Sequence, residues 1–196
     1  MTLAELITEV YTITGRSDRV GETASAIKSA TLKAHNSDYF YKDLYETGIS
    51  FLASDYVQQL DYRAILPRFR SMRYLRKYDN VNAAPGRFLD LIVPENVLDR
   101  YTVQKTDVYY VAGAYVNINS SDQQQYYLLG CYLNPDVTTS GFSSWIAIDH
   151  PYAIVLDAAA TVFKAIGKDE EAAAYRGLVA EQLALLRASN IIANGY

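Results

Sequence analysis

The sequence predicts an α+β fold: antiparallel helix pairs from the two ends of the chain pack as a helical bundle, and a mostly antiparallel β insertion lies between them. Two observations carry this. Apolar residues recur at helical spacing at both ends, as Leu3, Leu6, Ile7, Val10 and Ile13 near the start and Ile154, Ala158, Val162, Ala165 and Ile166 near the finish. The middle alternates apolar and polar residues between turn-forming pairs, and concentrates tyrosine, of which the chain has 18. The expected division is a bundle over 1–37 and 144–189, a β-rich insertion over 38–143 and an extended C-terminal tail over 190–196.

In chain order, Thr2 with Glu5 three residues on is a capping box, and Gly15 closes the first helix. A second helix is expected over 22–35, with Ala24, Ile27, Thr31 and Ala34 facing inward. Strands are expected over 49–52, 56–60 and, as one long extended run, 66–78. Pro85-Gly86 reads as a turn dipeptide, with 87–93 returning as a partner strand and Pro94 opening a short helical turn. Residues 108–112 and 114–118 alternate around Gly113, which suggests a bulge or sharp bend. Asn119-Ser120-Ser121-Asp122 is a turn, after which 125–133 is expected to pair back as a hairpin. In the last third, Asp149 or His150 stands where a cap would precede Pro151, and Gly167 separates two alanine-rich helices. The second opens on Asp169-Glu170-Glu171, acids that the helix dipole favours there.

Composition bounds the rest. A chain of 196 residues, half of them hydrophobic, can bury a substantial core. No apolar run reaches the roughly 20 residues that span a bilayer, and Met1 to Glu5 lacks a signal-peptide pattern, so synthesis in a cytoplasm is expected. With one cysteine, Cys131, no internal disulfide forms, and no metal or cofactor is expected. Phosphate-loop, nucleophile-elbow and zinc-protease motifs are missing. Ser143, Ser144, Asp149 and His150 are triad residue types, but neighbours at a helix start cannot reach triad geometry among themselves. His35 is expected at a helix C-terminus, and enzyme activity is not expected.

One basic concentration stands out: Arg63, Arg68, Arg70, Arg73, Arg76 and Lys77. Strict alternation would put Arg68, Arg70, Tyr74 and Arg76 on one strand face and Phe69, Arg73, Leu75 and Lys77 on the other. Basic residues interleaved with aromatics can bind nucleic acid, but a solvated face, or an arginine row that pairs with acids of a neighbouring subunit, competes with that, and the interface is the better-supported reading. The net charge of −4 argues against a protein that grips DNA over its whole surface.

Several stretches resemble the head–tail adaptor (head-completion, or connector) proteins of tailed bacteriophages. They are Asp38-Tyr39-Phe40-Tyr41-Lys42-Asp43-Leu44; Leu66-Pro67-Arg68-Phe69-Arg70, like that family's "LPRFR" strand; and Asp107-Val108-Tyr109-Tyr110-Val111-Ala112-Gly113, like its "YYxxG" strand. Ser144-Trp145-Ile146, His150-Pro151-Tyr152, Ala158-Ala159-Ala160 and Ile166-Gly167-Lys168-Asp169-Glu170 are similar to its C-terminal helices. The resemblance implies a non-enzymatic structural protein of the virion head–tail junction. It forms a ring of its own copies, usually twelve, below the portal protein, docks the tail tube or nozzle protein, and continues a channel through which duplex DNA passes without tight binding. It further implies that Asn190, Ile191, Ile192, Ala193, Asn194, Gly195 and Tyr196 dock into the portal; since that tail lacks a partner until then, the free chain is expected to be monomeric. Arg68, Arg70, Arg73, Arg76 and Lys77 are candidates for a subunit interface or the channel. The alternatives are a DNA-binding module using that arginine-rich strand, or a tail-associated cell-wall hydrolase, which needs two carboxylates facing across a cleft.

Overall fold

The computed structural model describes residues 1–51, 57–79, 84–98, 103–121 and 126–193. In chain order its elements are α1 (Leu3–Thr14), α2 (Val20–His35), β1 (Leu44–Ser50), β2 (Val57–Asp61), the single turn α3 (Tyr62–Ile65), β3 (Phe69–Asp79), β4 (Ala84–Phe88), β5 (Asp90–Leu91), β6 (Val108–Ala112), β7 (Tyr115–Asn119), β8 (Tyr126–Leu133), the short α4 (Trp145–Asp149), α5 (Tyr152–Ala165) and α6 (Asp169–Ala193). Turns of 3-10 helix cover Tyr41–Asp43 and Pro94–Asn96. The class is α+β. The chain divides into two compact units, one made of Met1–Asp43 with Asn134–Tyr196, the other of Leu44–Leu133.

In the first unit the helices end where their terminal residues dictate. The Thr2 hydroxyl accepts the Glu5 N–H at 3.3 Å while the Glu5 carboxylate accepts the Thr2 N–H at 2.7 Å. Gly15 and Gly167 take φ +67° and +78°, left-handed values that other residues reach only with strain. α5 is the hub, packing on α1, α2 and α6. Nine of its fourteen residues are buried, as expected of a helix apolar nearly all round. Ala153, Ala158, Ala159 and Ala160 are each at most 1% exposed, so their small side chains set how closely the neighbouring helices approach. Leu6, Val10, Ile27, Phe40, Ile146 and Leu186 complete the core. Burying each such side chain contributes about 1.5–3 kcal/mol.

The second unit holds two four-stranded sheets, ordered β1-β8-β3-β4 and β2-β7-β6-β5. Ile49, Leu75, Tyr127, Leu129 and Cys131 from the first share a core with Leu60, Tyr109, Val116 and Ile118 from the second. All pairs are antiparallel except β5 with β6.

Several expectations need correction. Residues 126–133 do not pair back on 108–118: β8 lies between β1 and β3, because a strand with Tyr127, Leu129 and Cys131 fully buried fits a central position. Pro85-Gly86 is not a turn but part of β4, an edge strand where the missing proline N–H removes no ladder bond. A Cβ on Gly86 would stand 3.1 Å from the Lys77 carbonyl oxygen, so glycine lets the two strands approach. The partner strand expected over 87–93 is split between β4 and β5, in different sheets. At Gly113, of the bulge or sharp bend expected, the structure has the bend: φ is +61° and the residue is the first of a two-residue hairpin turn between β6 and β7. The first strand begins at Leu44, not Ile49. The side-chain cap of the last third is Ser144, which accepts the Ala147 N–H; α5 has no side-chain cap.

The C-terminal tail expected to be extended over 190–196 is helical through Ala193. Asn190 holds it there. Its side chain accepts the Tyr41 N–H at 3.2 Å and donates to Asp38 and to the Tyr39 carbonyl at 3.2 Å, leaving it 6% exposed. Asn194, Gly195 and Tyr196 lie outside the described residues.

Candidate functional site

β3 carries the basic run, and its local geometry decides which of those residues meet solvent. The strand bulges against β8 between Phe69 and Ser71 and again between Met72 and Tyr74, so strict alternation fails. Met72, Leu75 and Lys77 stand opposite Cys131, Leu129 and Tyr127 on the core side, while Tyr74 and Arg76 stand opposite Gly130 and Leu128 on the outer side. Arg73, at the second bulge, is exposed, as is Arg68 before the strand; Arg70 is half-buried. The two basic faces expected from alternation are therefore not formed.

Arg76 and Lys77 are committed within the chain. Arg76 Nη2 reaches both oxygens of Glu46, at 3.0 and 2.9 Å, and its guanidinium lies 5.9 Å from the Tyr74 ring and 5.8 Å from that of Phe88. Tyr74 donates to Glu46 at 2.5 Å. Burial first, and then the bonded Glu46 carboxylate, raise the Tyr74 hydroxyl above its ordinary range. Its ring lies over Gly130, where a Cβ would come within 2.4 Å of it. Lys77 is 8% exposed, with Nζ 2.8 Å from Asp107. Arg87 pairs with the other oxygen of Asp107, and Ser121 donates to Asp107 from its N–H at 3.1 Å and its hydroxyl at 2.9 Å. These partners hold Asp107 at φ +58°, which a short polar side chain tolerates better than most. Beside Arg76, Gly48, Ser50, Tyr78, Tyr126 and Leu128 line an open groove of about 350 Å³.

A second constellation lies in the helical unit. His35, the last residue of α2, has Nδ1 2.8 Å from Asp43 and Nε2 2.9 Å from the Ser144 hydroxyl. Trp145 Nε1 donates to the same Asp43 oxygen at 2.7 Å, and the Ala147 N–H donates to the Ser144 oxygen at 3.2 Å. With the proton on Nδ1, the Ser144 hydroxyl donates to Nε2 and each donor has an acceptor. The connectivity is that of an acyl-transfer triad. Its setting differs: His35, Asp43 and Ser144 are 1%, 7% and 5% exposed, and the serine oxygen serves as the cap of α4. In sequence Ser144 stands only five and six positions before Asp149 and His150, whereas the network joins it to His35 and Asp43, 109 and 101 positions away; no local pattern marks them. A fluorophosphonate probe is expected to leave Ser144 unlabelled in the folded chain, read by mass spectrometry of the peptide that contains it. Stoichiometric labelling would establish an accessible nucleophile.

The remaining groups are less suggestive of chemistry. Cys131 is buried, and burial pushes its thiol up to about 11, away from the thiolate that reacts. Lys42 bonds Asp149 at 2.6 Å, which raises its own ammonium, and lies 5.0 Å from the Trp145 ring. Among the described residues no cluster of three or more His, Cys, Asp or Glu could hold a metal ion, and no helix is long and apolar enough to cross a membrane. No protein-family model matches the chain, and no curated protein matches it in sequence.

Proposed function

We propose that the chain is a non-enzymatic head–tail adaptor of a tailed bacteriophage, a ring-forming virion protein that binds the portal, receives the tail and leaves a passage for DNA during ejection. In this reading the helices from both ends act as one bundle that builds the ring, and the inserted β unit is presented to neighbouring copies or the tail. The observation that carries it is the surface of α6. This helix has 25 residues but buries chiefly Ala172, Val179, Leu186 and Asn190, along one stripe. Leu178, Leu185 and Ile191 on its other sides are 45%, 61% and 52% exposed. Apolar side chains in that number gain burial only in an assembly, and a contact repeated around a ring multiplies a weak affinity. Ile191 remains available to a portal contact, now from a helix end rather than an extended tail.

The arginine strand is the weaker route to function, because Arg76 and Lys77 have carboxylate partners within the chain. The test is assembly with the portal ring encoded alongside the chain, imaged by electron microscopy. Wild-type protein is expected to form a collar on the portal. A Leu178→Glu/Leu185→Glu variant, both positions being exposed, is expected to keep its fold and lose the collar. Wild-type chain that leaves the portal bare, or binds duplex DNA with nanomolar affinity at physiological salt, would overturn the adaptor reading.

A further inference from the structure

Among the described residues of the β unit, β1 presents one long strand edge that no other strand covers. Among the described residues the backbone of β1 pairs only with β8, so one row of its N–H and C=O groups is open. The far edges of both sheets are blunted: β4 contains Pro85, which has no N–H to donate, and β5 is two residues long. β2, the other edge, has five residues to the seven of β1. Edge strands are ordinarily guarded by proline, lysine, a bulge or brevity. β1, Leu44-Tyr45-Glu46-Thr47-Gly48-Ile49-Ser50, has none of these. Its only charge, Glu46, is held by Tyr74 and Arg76. Leu44 and Tyr45 are 38% and 47% exposed.

We propose that two copies of the free chain join through β1, antiparallel about a two-fold axis at Thr47, so that two four-stranded sheets become one sheet of eight. The occupant is a second copy because β1 is complementary to itself. The register that pairs all seven residues places Tyr45 against Ile49 of the partner and Thr47 against Thr47 of the partner on the core side. On the outer side Leu44 meets Ser50 of the partner, and Glu46 meets Gly48 of the partner. Aromatic–β-branched and Thr–Thr pairs are favourable across strands, and no like charges oppose. A shift of two residues that centres on Glu46 would set the two carboxylates face to face. The far edges, one with a proline and the other two residues long, do not take a seven-residue strand, and β2 offers only five residues, so β1 matches best with itself and the association closes at two copies. The inference is independent of the adaptor reading, and replaces the monomeric free state expected from the sequence. A two-fold pair cannot belong to a cyclic ring, so it is a state that ring closure must displace.

The test is sedimentation equilibrium on the full chain up to about 100 μM, together with cysteine cross-linking. The wild type is expected to reach a dimer and stop there. Tyr45→Lys is expected to raise the dimer dissociation constant at least about tenfold while its thermal midpoint stays that of wild type. Under mild oxidant Thr47→Cys is expected to give a disulfide-linked dimer and Ser50→Cys is not, with buried Cys131 silent in both. Should Tyr45→Lys misfold, the cross-linking pair decides the matter. A wild type that stays monomeric, or equal cross-linking at both positions, would overturn the proposal. Failure of the chain to collar a portal would leave this outcome unchanged, so the two readings fail separately.

Discussion

Replacing Asp43 by alanine is expected to destabilise the helical unit by about 2–4 kcal/mol, since a donor that loses its acceptor costs about 1–3 kcal/mol. Its carboxylate accepts from both His35 Nδ1 and Trp145 Nε1, and alanine would take that acceptor from one buried and one half-buried donor. Asp43→Asn, which keeps an acceptor oxygen in place, is expected to lose roughly half as much. Trp145 is the only tryptophan and belongs to this network, so its fluorescence during denaturant unfolding reports this unit. At about 2–4 °C per kcal/mol for a chain of this size, the thermal midpoint should fall by roughly 10 °C. A loss under 1 kcal/mol in Asp43→Ala would mean that the network adds little to the fold, and would reopen a functional role for it.

Leu75→Ala should cost about as much in the β unit, about 2–5 kcal/mol. Leu75 is 0% exposed, in a strand paired on both sides, opposite fully buried Leu129. The unit can close the cavity only by drawing two sheets together. Arg73→Ala, two positions away at the bulge, is expected to stay within about 0.5 kcal/mol of wild type. Far-UV circular dichroism during urea unfolding measures both. Equal losses at the two positions would contradict the register of β3 on β8, since an unbulged strand would put Arg73 and Leu75 on one face.

The helical ends were legible because their signals are local: Thr2 with Glu5, Gly15, and Gly167 before three acids each act within one turn of chain. Strand existence was legible too, from tyrosine and branched residues. Strand partnership was not. β8 is apolar on both faces, so it offers no alternation to say which sheet it joins, and sequence adjacency to β7 points to the wrong one. Pro85-Gly86 misleads for a related reason, since an edge strand tolerates what a central strand cannot, and edge position is a property of the whole sheet. Asn190 resembles a helix terminator until its amide is seen bonding Asp38, Tyr39 and Tyr41, which lie about 150 positions earlier. The His35–Asp43–Ser144 network depends on the same kind of long-range closure.

The hub position of α5 also bears on how the chain is made. Residues 44–133 form a contiguous unit and can condense as soon as they leave the ribosome. α1 and α2 emerge before that unit yet must wait, their apolar faces covered only in part by each other, for a helix that begins at Tyr152. These two helices are thus made before the β unit but completed after it, and their interval of vulnerability to proteases and chaperones is set by the time needed to translate everything between.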